Sequence, residues 1–190
     1  MKDVVCYFDY ASPYSYLASE LLAQALPGVA IEWRPIYLRG LESFASGVPY
    51  SGAKLAYLAR DLARSAELHG VPFQPPVSFP VDGLQALRAA YVAMDRGVFD
   101  RFHRAIFRAA WAERKDIADK AVVVGILGEA LGGAPTEPLL EAMAANKARL
   151  RAATDEAVLR GVFGVPAFFV GSEMFWGHDR LDQVARAAKS

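Results

Sequence analysis

Ser12-Pro13-Tyr14-Ser15 is the segment of this sequence whose residue types and spacing best suit chemistry. Tyr14, Leu17, Ala18, Leu21 and Leu22 follow at spacings of three and four, so a helix begins here. Ser12 suits its N-cap and Pro13 its first position, where the missing N–H costs nothing. A helix start carries unpaired N–H donors and the positive end of the macrodipole, and both stabilise an anion. The Ser12 hydroxyl is able to donate a hydrogen bond to such an anion, for example a thiolate brought by another molecule. Capping by itself also accounts for a serine before a proline, so the segment alone leaves both readings open.

Two later segments have comparable potential. Val165-Pro166 opens the apolar run Ala167-Phe168-Phe169-Val170. A cis bond at this strand entry would turn the valine N–H and C=O outward, where a peptide backbone could pair with them; a trans proline at a strand start is the plain alternative. Trp176-Gly177-His178-Asp179-Arg180 lies between the last strand and the last helix. Asp179 or His178 suits a helix cap, a carboxylate there suits an amine, and free backbone N–H groups suit a carboxylate.

Other candidates are less marked. Lys54, Tyr57, Asp61 and Arg64 share a helical face that is either solvated or turned to a substrate. Arg34, beside Pro35, suits either a substrate carboxylate or the surface, and Asp82 is first of all a helix cap. Cys6, the one cysteine, alternates within a buried strand, which excludes a CxxC pair, an intramolecular disulfide and a thiolate-rich metal site. His69, His103 and His178 lack metal-ligand spacing, and no G-x-S-x-G elbow supports a hydrolase triad.

The elements that must position these residues are legible in outline. Val4–Phe8 reads as a strand buried on both faces, the helix from Ser12 ends before Pro27-Gly28, and Val29–Leu38 reads as a second strand. Residues 51–153 then turn rich in Ala, Leu, Arg and Glu, with helical spacing in Leu55–Leu68, Leu84–Met94, Val98–Ala112, Ile117–Leu131 and Glu137–Ala152. Strand character returns at Gly164–Gly171 and Glu173–Trp176, before a last helix from Asp179 to Ala188. A β-α-β unit, a helical block and a β-β-α unit describe an α/β, thioredoxin-like fold interrupted by an all-helical insertion. The expected division is 1–50 with 154–190 for the thioredoxin-like domain and 51–153 for the insertion.

Bulk properties narrow the class. The chain has 190 residues, 54% of them hydrophobic, and its 21 basic and 21 acidic residues create no net field toward nucleic acid or anionic membrane. Its N-terminus has too short an apolar run for a signal peptide, and no stretch approaches a membrane span, so a cytoplasmic location is expected.

Phe8-Asp9-Tyr10-Ala11-Ser12-Pro13-Tyr14-Ser15-Tyr16-Leu17-Ala18 resembles the start of the 2-hydroxychromene-2-carboxylate isomerases, relatives of the kappa-class glutathione transferases. Gly161–Pro166 and Phe175–Leu181 are similar to the family's two later signatures, with further matches at Lys54, Tyr57, Asp61 and His69–Phe73. The resemblance implies that Ser12 hydrogen-bonds a glutathione thiolate, that Val165 before Pro166 pairs with the glutathione backbone, and that Trp176, Gly177, His178 and Asp179 hold its glutamyl end. It implies a small aromatic substrate, contacted by residues such as Arg34, Lys54, Tyr57 and Asp82, and a homodimer. The implied reaction is glutathione-dependent conversion of 2-hydroxychromene-2-carboxylate to trans-o-hydroxybenzylidenepyruvate. The alternatives are a kappa-like transferase and a non-catalytic thioredoxin-like binding domain. One departure stands out: relatives carry Gly-Asn in the loop before the Lys54 helix, where this chain reads Gly47-Val48-Pro49. A polar contact is therefore missing or supplied from elsewhere.

Overall fold

The computed structural model describes residues 2–189. Strand β1 (Val4–Phe8), helix α1 (Pro13–Ala25) and strand β2 (Ile31–Pro35) form the opening unit. Short 3-10 turns at Leu38–Gly40 and Glu42–Phe44 lead to six helices: α2 (Gly52–His69), α3 (Leu84–Asp95), α4 (Phe99–Trp111), α5 (Lys120–Ala130), α6 (Thr136–Ala145) and α7 (Lys147–Leu159). Strands β3 (Ala167–Val170) and β4 (Glu173–Trp176), a 3-10 turn at His178–Arg180 and α8 (Leu181–Lys189) follow. The sheet order is β2-β1-β3-β4, with β1 parallel to β2 and the other pairings antiparallel. This is the expected thioredoxin-like α/β arrangement, with its strands drawn from both ends of the chain.

Alternation along the strands divides the core between two faces. Val4, Cys6 and Phe8 join Phe168 and Val170 in one cluster with α1, α8 and most of the helical block. Tyr7, Ala167 and Phe169 face the other way, against Ile36, Leu41, Ala157 and Val162. The helices after α2 are therefore cored on the same apolar mass as the sheet. Among the described residues, no helix is long and apolar enough to cross a membrane.

The helical reading holds with one substantive correction. Glu137–Ala152 is two helices, broken at Asn146, where ψ is near 6° and the side-chain amide donates to the Ala142 carbonyl at 3.0 Å. An asparagine that bonds local backbone competes with the helix ladder, and helix-favouring alanines on both sides masked the break. Helix α7 then runs past residue 153, where Thr154 accepts from the Tyr37 N–H at 3.0 Å and Ala157 is fully buried. Strand β2 stops at Pro35, short of the Leu38 expected. Helix α5 begins at Lys120, because Asp119 caps it through the Ala121 N–H at 2.8 Å.

His103, on α4, lies in a closed aromatic cage. Its ring centroid is 4.4 Å from that of Trp33 and 4.9 Å from those of Phe8 and Phe107. The Tyr10 hydroxyl lies 3.1 Å from Nδ1 and the Ser19 hydroxyl 2.9 Å from Nε2. Burial pushes this imidazole down to about 3, so it folds neutral. Between that value and the ordinary 6.5, the unfolded chain binds a proton that the folded chain does not. Stability therefore falls as pH falls through this window. The expected outcome is that the stability gap between the wild type and His103→Phe narrows steadily from pH 7 to pH 4, measured by urea unfolding; a gap independent of pH would contradict a neutral buried imidazole.

Candidate active site

The site is built where the C-terminal ends of the parallel strands β1 and β2 meet the start of α1. Ser12 is extended at the N-cap, and its hydroxyl accepts from the Ser15 N–H at 3.2 Å. The same hydroxyl donates to the Val165 carbonyl at 3.2 Å. Pro13 has no N–H, so Tyr14 supplies the first-turn donor with no intrahelical acceptor. Ser12 is only 5% exposed yet lines the cavity described below. The position thus combines a hydroxyl, a helix terminus and partial exclusion of water, the conditions under which a fixed dipole acts most strongly on an anion.

The Val165–Pro166 bond is cis. The Val165 carbonyl is not turned outward as expected; it accepts from Ser12, because the strand entry passes directly over the start of α1. Gly177 N–H donates to the Pro166 carbonyl at 3.0 Å, which ties the two signature turns together. Gly164 lets Trp176 pack close at this point: a Cβ there would come within 2.8 Å of Trp176 Nε1 and displace the indole. The Trp176 indole, half-exposed, also packs on Phe163.

Asp9 joins the Ser12 turn to the segment after β2. Its Oδ1 accepts from the Ala11 N–H at 2.9 Å and its Oδ2 from the Leu38 N–H at 2.7 Å. It is 1% exposed, and burial pushes its carboxyl up to about 6, against the pull of those two N–H groups. Gly83, at the start of α3, packs on this junction: a Cβ there would collide with Asp9 Oδ1 and lie 3.1 Å from the Ala11 nitrogen.

A cavity of about 590 Å³ opens from Ser12. The sheet half contributes Ser12, Val165, Pro166 and residues 176–180, and the helical half contributes apolar groups such as Leu58, Phe73, Phe79 and Trp111. Tyr14 bridges the two halves, its ring stacked on His178 with centroids 5.2 Å apart and its hydroxyl donating to Asp61 at 3.3 Å. Burial pushes His178 down from its ordinary range, with Asp179 opposing. Asp179 pairs with Arg180 at 2.6 Å, and neither it nor His178 caps the following turn, which starts at Gly177 with φ of 107° and no side-chain cap.

Of the remaining predicted site residues, Lys54 lines the cavity, with its ammonium 4.2 Å over the Tyr50 ring. The structure does not bring Arg34, Tyr57 or Asp82 into the lining. Arg34 lies beside Tyr7 on the α7 face of the sheet, ion-paired with Glu32 and, at 3.7 Å, with Glu156. Its strand partner Trp33 points to the opposite face, so one step of the strand period decides which residue meets the aromatic cluster. Tyr57 is exposed, its hydroxyl donating to Asp61 at 3.3 Å. Asp82 accepts from the Leu84 N–H at 3.0 Å, but the N-cap of α3 is Gly83, so Asp82 supports the helix start from one residue further out than the cap expected of it. Arg39, Tyr37 and Asp9 line the cavity without having been singled out. The Asp9 position in the first signature was the available signal; nothing in the spacing of Tyr37 and Arg39 marked them.

Residues 3–189 match the family model described as a DSBA-like thioredoxin domain. The chain is 35% identical to a Pseudomonas putida protein named 2-hydroxychromene-2-carboxylate isomerase, over 92% of this chain and 88% of that one. It is 28% identical to glutathione S-transferase kappa 2 of Caenorhabditis elegans, over 97% and 90% of the two chains. Among solved structures, a 2-hydroxychromene-2-carboxylate isomerase superposes with a TM-score of 0.83 at 31% identity, covering 97% of this chain and 93% of the other. The cytosolic disulfide reductase DsbM from Pseudomonas aeruginosa, solved with GSH, superposes with a TM-score of 0.67 at 25% identity, covering 98% and 96%.

The packing at Gly83 makes the junction testable. Gly83→Ala is expected to destabilise the fold by about 1–3 kcal/mol, because the new methyl displaces the Asp9 carboxyl and the Ala11 backbone. Gly125→Ala, inside α5 with nothing within 4 Å of the added Cβ, is expected to be neutral or stabilising. Chemical denaturation of both variants measures this; equal effects at the two positions would mean that the Asp9 junction is not close-packed.

Proposed function

We propose that this chain, which belongs to the 2-hydroxychromene-2-carboxylate isomerase family of DSBA-like thioredoxin domains, is an isomerase that uses glutathione and acts on a chromene carboxylate. The observation that carries the reading is the Ser12 hydroxyl: it caps a helix, faces a cavity, and stands where a redox relative would hold a cysteine. The only cysteine of the chain, Cys6, is 1% exposed in β1, and burial raises its thiol far above the ordinary range. A reactive sulfur must therefore come from outside the polypeptide.

The residues present fit glutathione. Ser12 and the first turn of α1 suit its sulfur, the Val165 backbone suits its peptide, and the Trp176–Asp179 turn suits its glutamyl group. When bound, glutathione supplies a thiolate that adds reversibly to a conjugated carbon, so that a double bond becomes single and free to rotate before the sulfur is expelled.

The chain's own part is electrostatic. Ser12 holds one proton, directed at the Val165 carbonyl. A charged sulfur is a stronger acceptor than a neutral amide oxygen, so the hydroxyl turns to it. The Val165 carbonyl is then released to accept from a peptide N–H of the tripeptide. Binding and activation are thereby linked through a single hydroxyl. The apolar helical wall excludes water and holds a flat aromatic substrate across the start of α1.

Removing the hydroxyl tests this directly. Adding glutathione to the wild type is expected to raise ultraviolet thiolate absorbance, and Ser12→Ala is expected to lose that signal along with roughly 100-fold to 1000-fold of kcat, the usual scale for one donor to a developing anion. An unchanged thiolate signal in Ser12→Ala would contradict the assignment. The kappa relatives make conjugation the competing outcome; release of a stable glutathione adduct in place of a trans-benzylidenepyruvate would identify a transferase.

A further inference from the structure

We infer that Arg39 is the specificity-determining residue that receives the substrate's carboxylate, supplying from the 3-10 turn after β2 a polar contact that the loop at Val48 does not provide. This rests on the isomerase reading above and assigns a residue to the substrate end of that site. Val48 lines the cavity with an aliphatic side chain, so the loop before α2 offers no hydrogen-bonding side chain at that position. Three long cationic side chains line the cavity: Arg39, Lys54 and Arg180. Arg180 is neutralised by Asp179. Among the described residues, neither Arg39 nor Lys54 forms an ion pair, and Lys54 instead lies over the Tyr50 ring.

Arg39 is also the better placed of the two. Its guanidinium lies near the Tyr37 hydroxyl. The backbone on each side is fixed: Tyr37 N–H donates to Thr154 at 3.0 Å, Leu38 N–H to Asp9 at 2.7 Å, and Gly40 N–H to the Tyr37 carbonyl at 2.8 Å. Gly40 itself packs against Thr154, where an added Cβ would come within 2.8 Å of Cγ2. Asp9 holds the Leu38 and Ala11 backbones with its two oxygens, so the base of Arg39 and the Ser12 turn keep a fixed separation. A planar guanidinium fork on a fixed stretch of backbone, lining the same cavity as Ser12, suits a planar carboxylate. Arg39 and Lys54 are both exposed; what separates them is chemistry, since the Lys54 ammonium is a point charge without the fork geometry of a guanidinium.

The test uses ligand binding in the absence of glutathione, with trans-cinnamate and its methyl ester as probes and quenching of the cavity tryptophans, Trp111 and Trp176, as the signal. The wild type is expected to bind the acid more tightly than the ester. Arg39→Gln is expected to weaken the acid by roughly tenfold or more, the scale of a lost charged hydrogen bond, and to leave the ester unchanged. Arg39→Lys should retain part of the preference. Acid and ester binding alike in the wild type, or a full preference retained in Arg39→Gln while Lys54→Gln removes it, would overturn the assignment. Near-ultraviolet circular dichroism of each variant checks that the fold is intact, and calorimetry with glutathione is run in parallel. A chain that prefers the acid through Arg39 but takes up no glutathione would leave this inference standing and sink the isomerase reading.

Discussion

Asp9, the residue after β1, has almost no solvent exposure, and its two oxygens accept from two different stretches of chain, the turn before α1 and the segment after β2. Because β1 and β2 are parallel, both stretches leave the sheet at the same edge, where an α/β crevice forms. Burial raises this carboxyl to about 6, and the N–H groups of Ala11 and Leu38 oppose that rise. Everything proposed for the site depends on this bridge: Ser12 lies three residues beyond Asp9, and Arg39 one residue beyond Leu38. Gly83 packs beside this carboxyl, where a Cβ would collide with Oδ1.

The two halves of the molecule divide the work. The sheet half provides directed polar groups, namely the hydroxyl of the capped helix α1, the Val165 carbonyl at the entry to β3 and a paired carboxylate in the turn after β4. The helical half provides bulk and apolar surface. Most of its helices share the core of the sheet, but α2 buries only Leu62 and Ala66 fully and lies along the cavity. Tyr14 of α1 reaches it by donating to Asp61, whereas the Tyr57–Asp61 bond lies within α2 itself. A wall held by such contacts is easier to remodel in evolution than one set into a core, which fits a fold whose relatives are named for different reactions.

The chemistry follows from replacing a sulfur by an oxygen at a helix start. In a redox relative the field at this point stabilises the protein's own thiolate. A serine there neither ionises nor forms a disulfide, so in the proposed function the same field acts on a visiting anion, with the proton on the hydroxyl as the means of holding it. The resting partner of that proton, the Val165 carbonyl, is an ordinary amide oxygen and so gives way to a charged one.

The sequence alone determined the order of elements, the strand–cap–helix unit at Ser12, the interruption by helices, and the glycines and prolines at the turns. These are local, because hydrophobic period, capping and turn chemistry act over a few residues. Its errors were local conflicts with equally local signals: Asn146 bonding its own backbone inside an alanine-rich run, and Pro35 ending a strand that the pattern would have continued. Only the tertiary structure decided which cations reach the cavity. Arg34 and Arg39 are equivalent by composition, yet strand alternation sends the first toward Glu156, while the turn anchored by Asp9 and Thr154 brings the second to the cavity wall. It also decided that the Val165 carbonyl faces Ser12 and not outward. Both outcomes depend on contacts between residues more than a hundred positions apart, which no sequence period records.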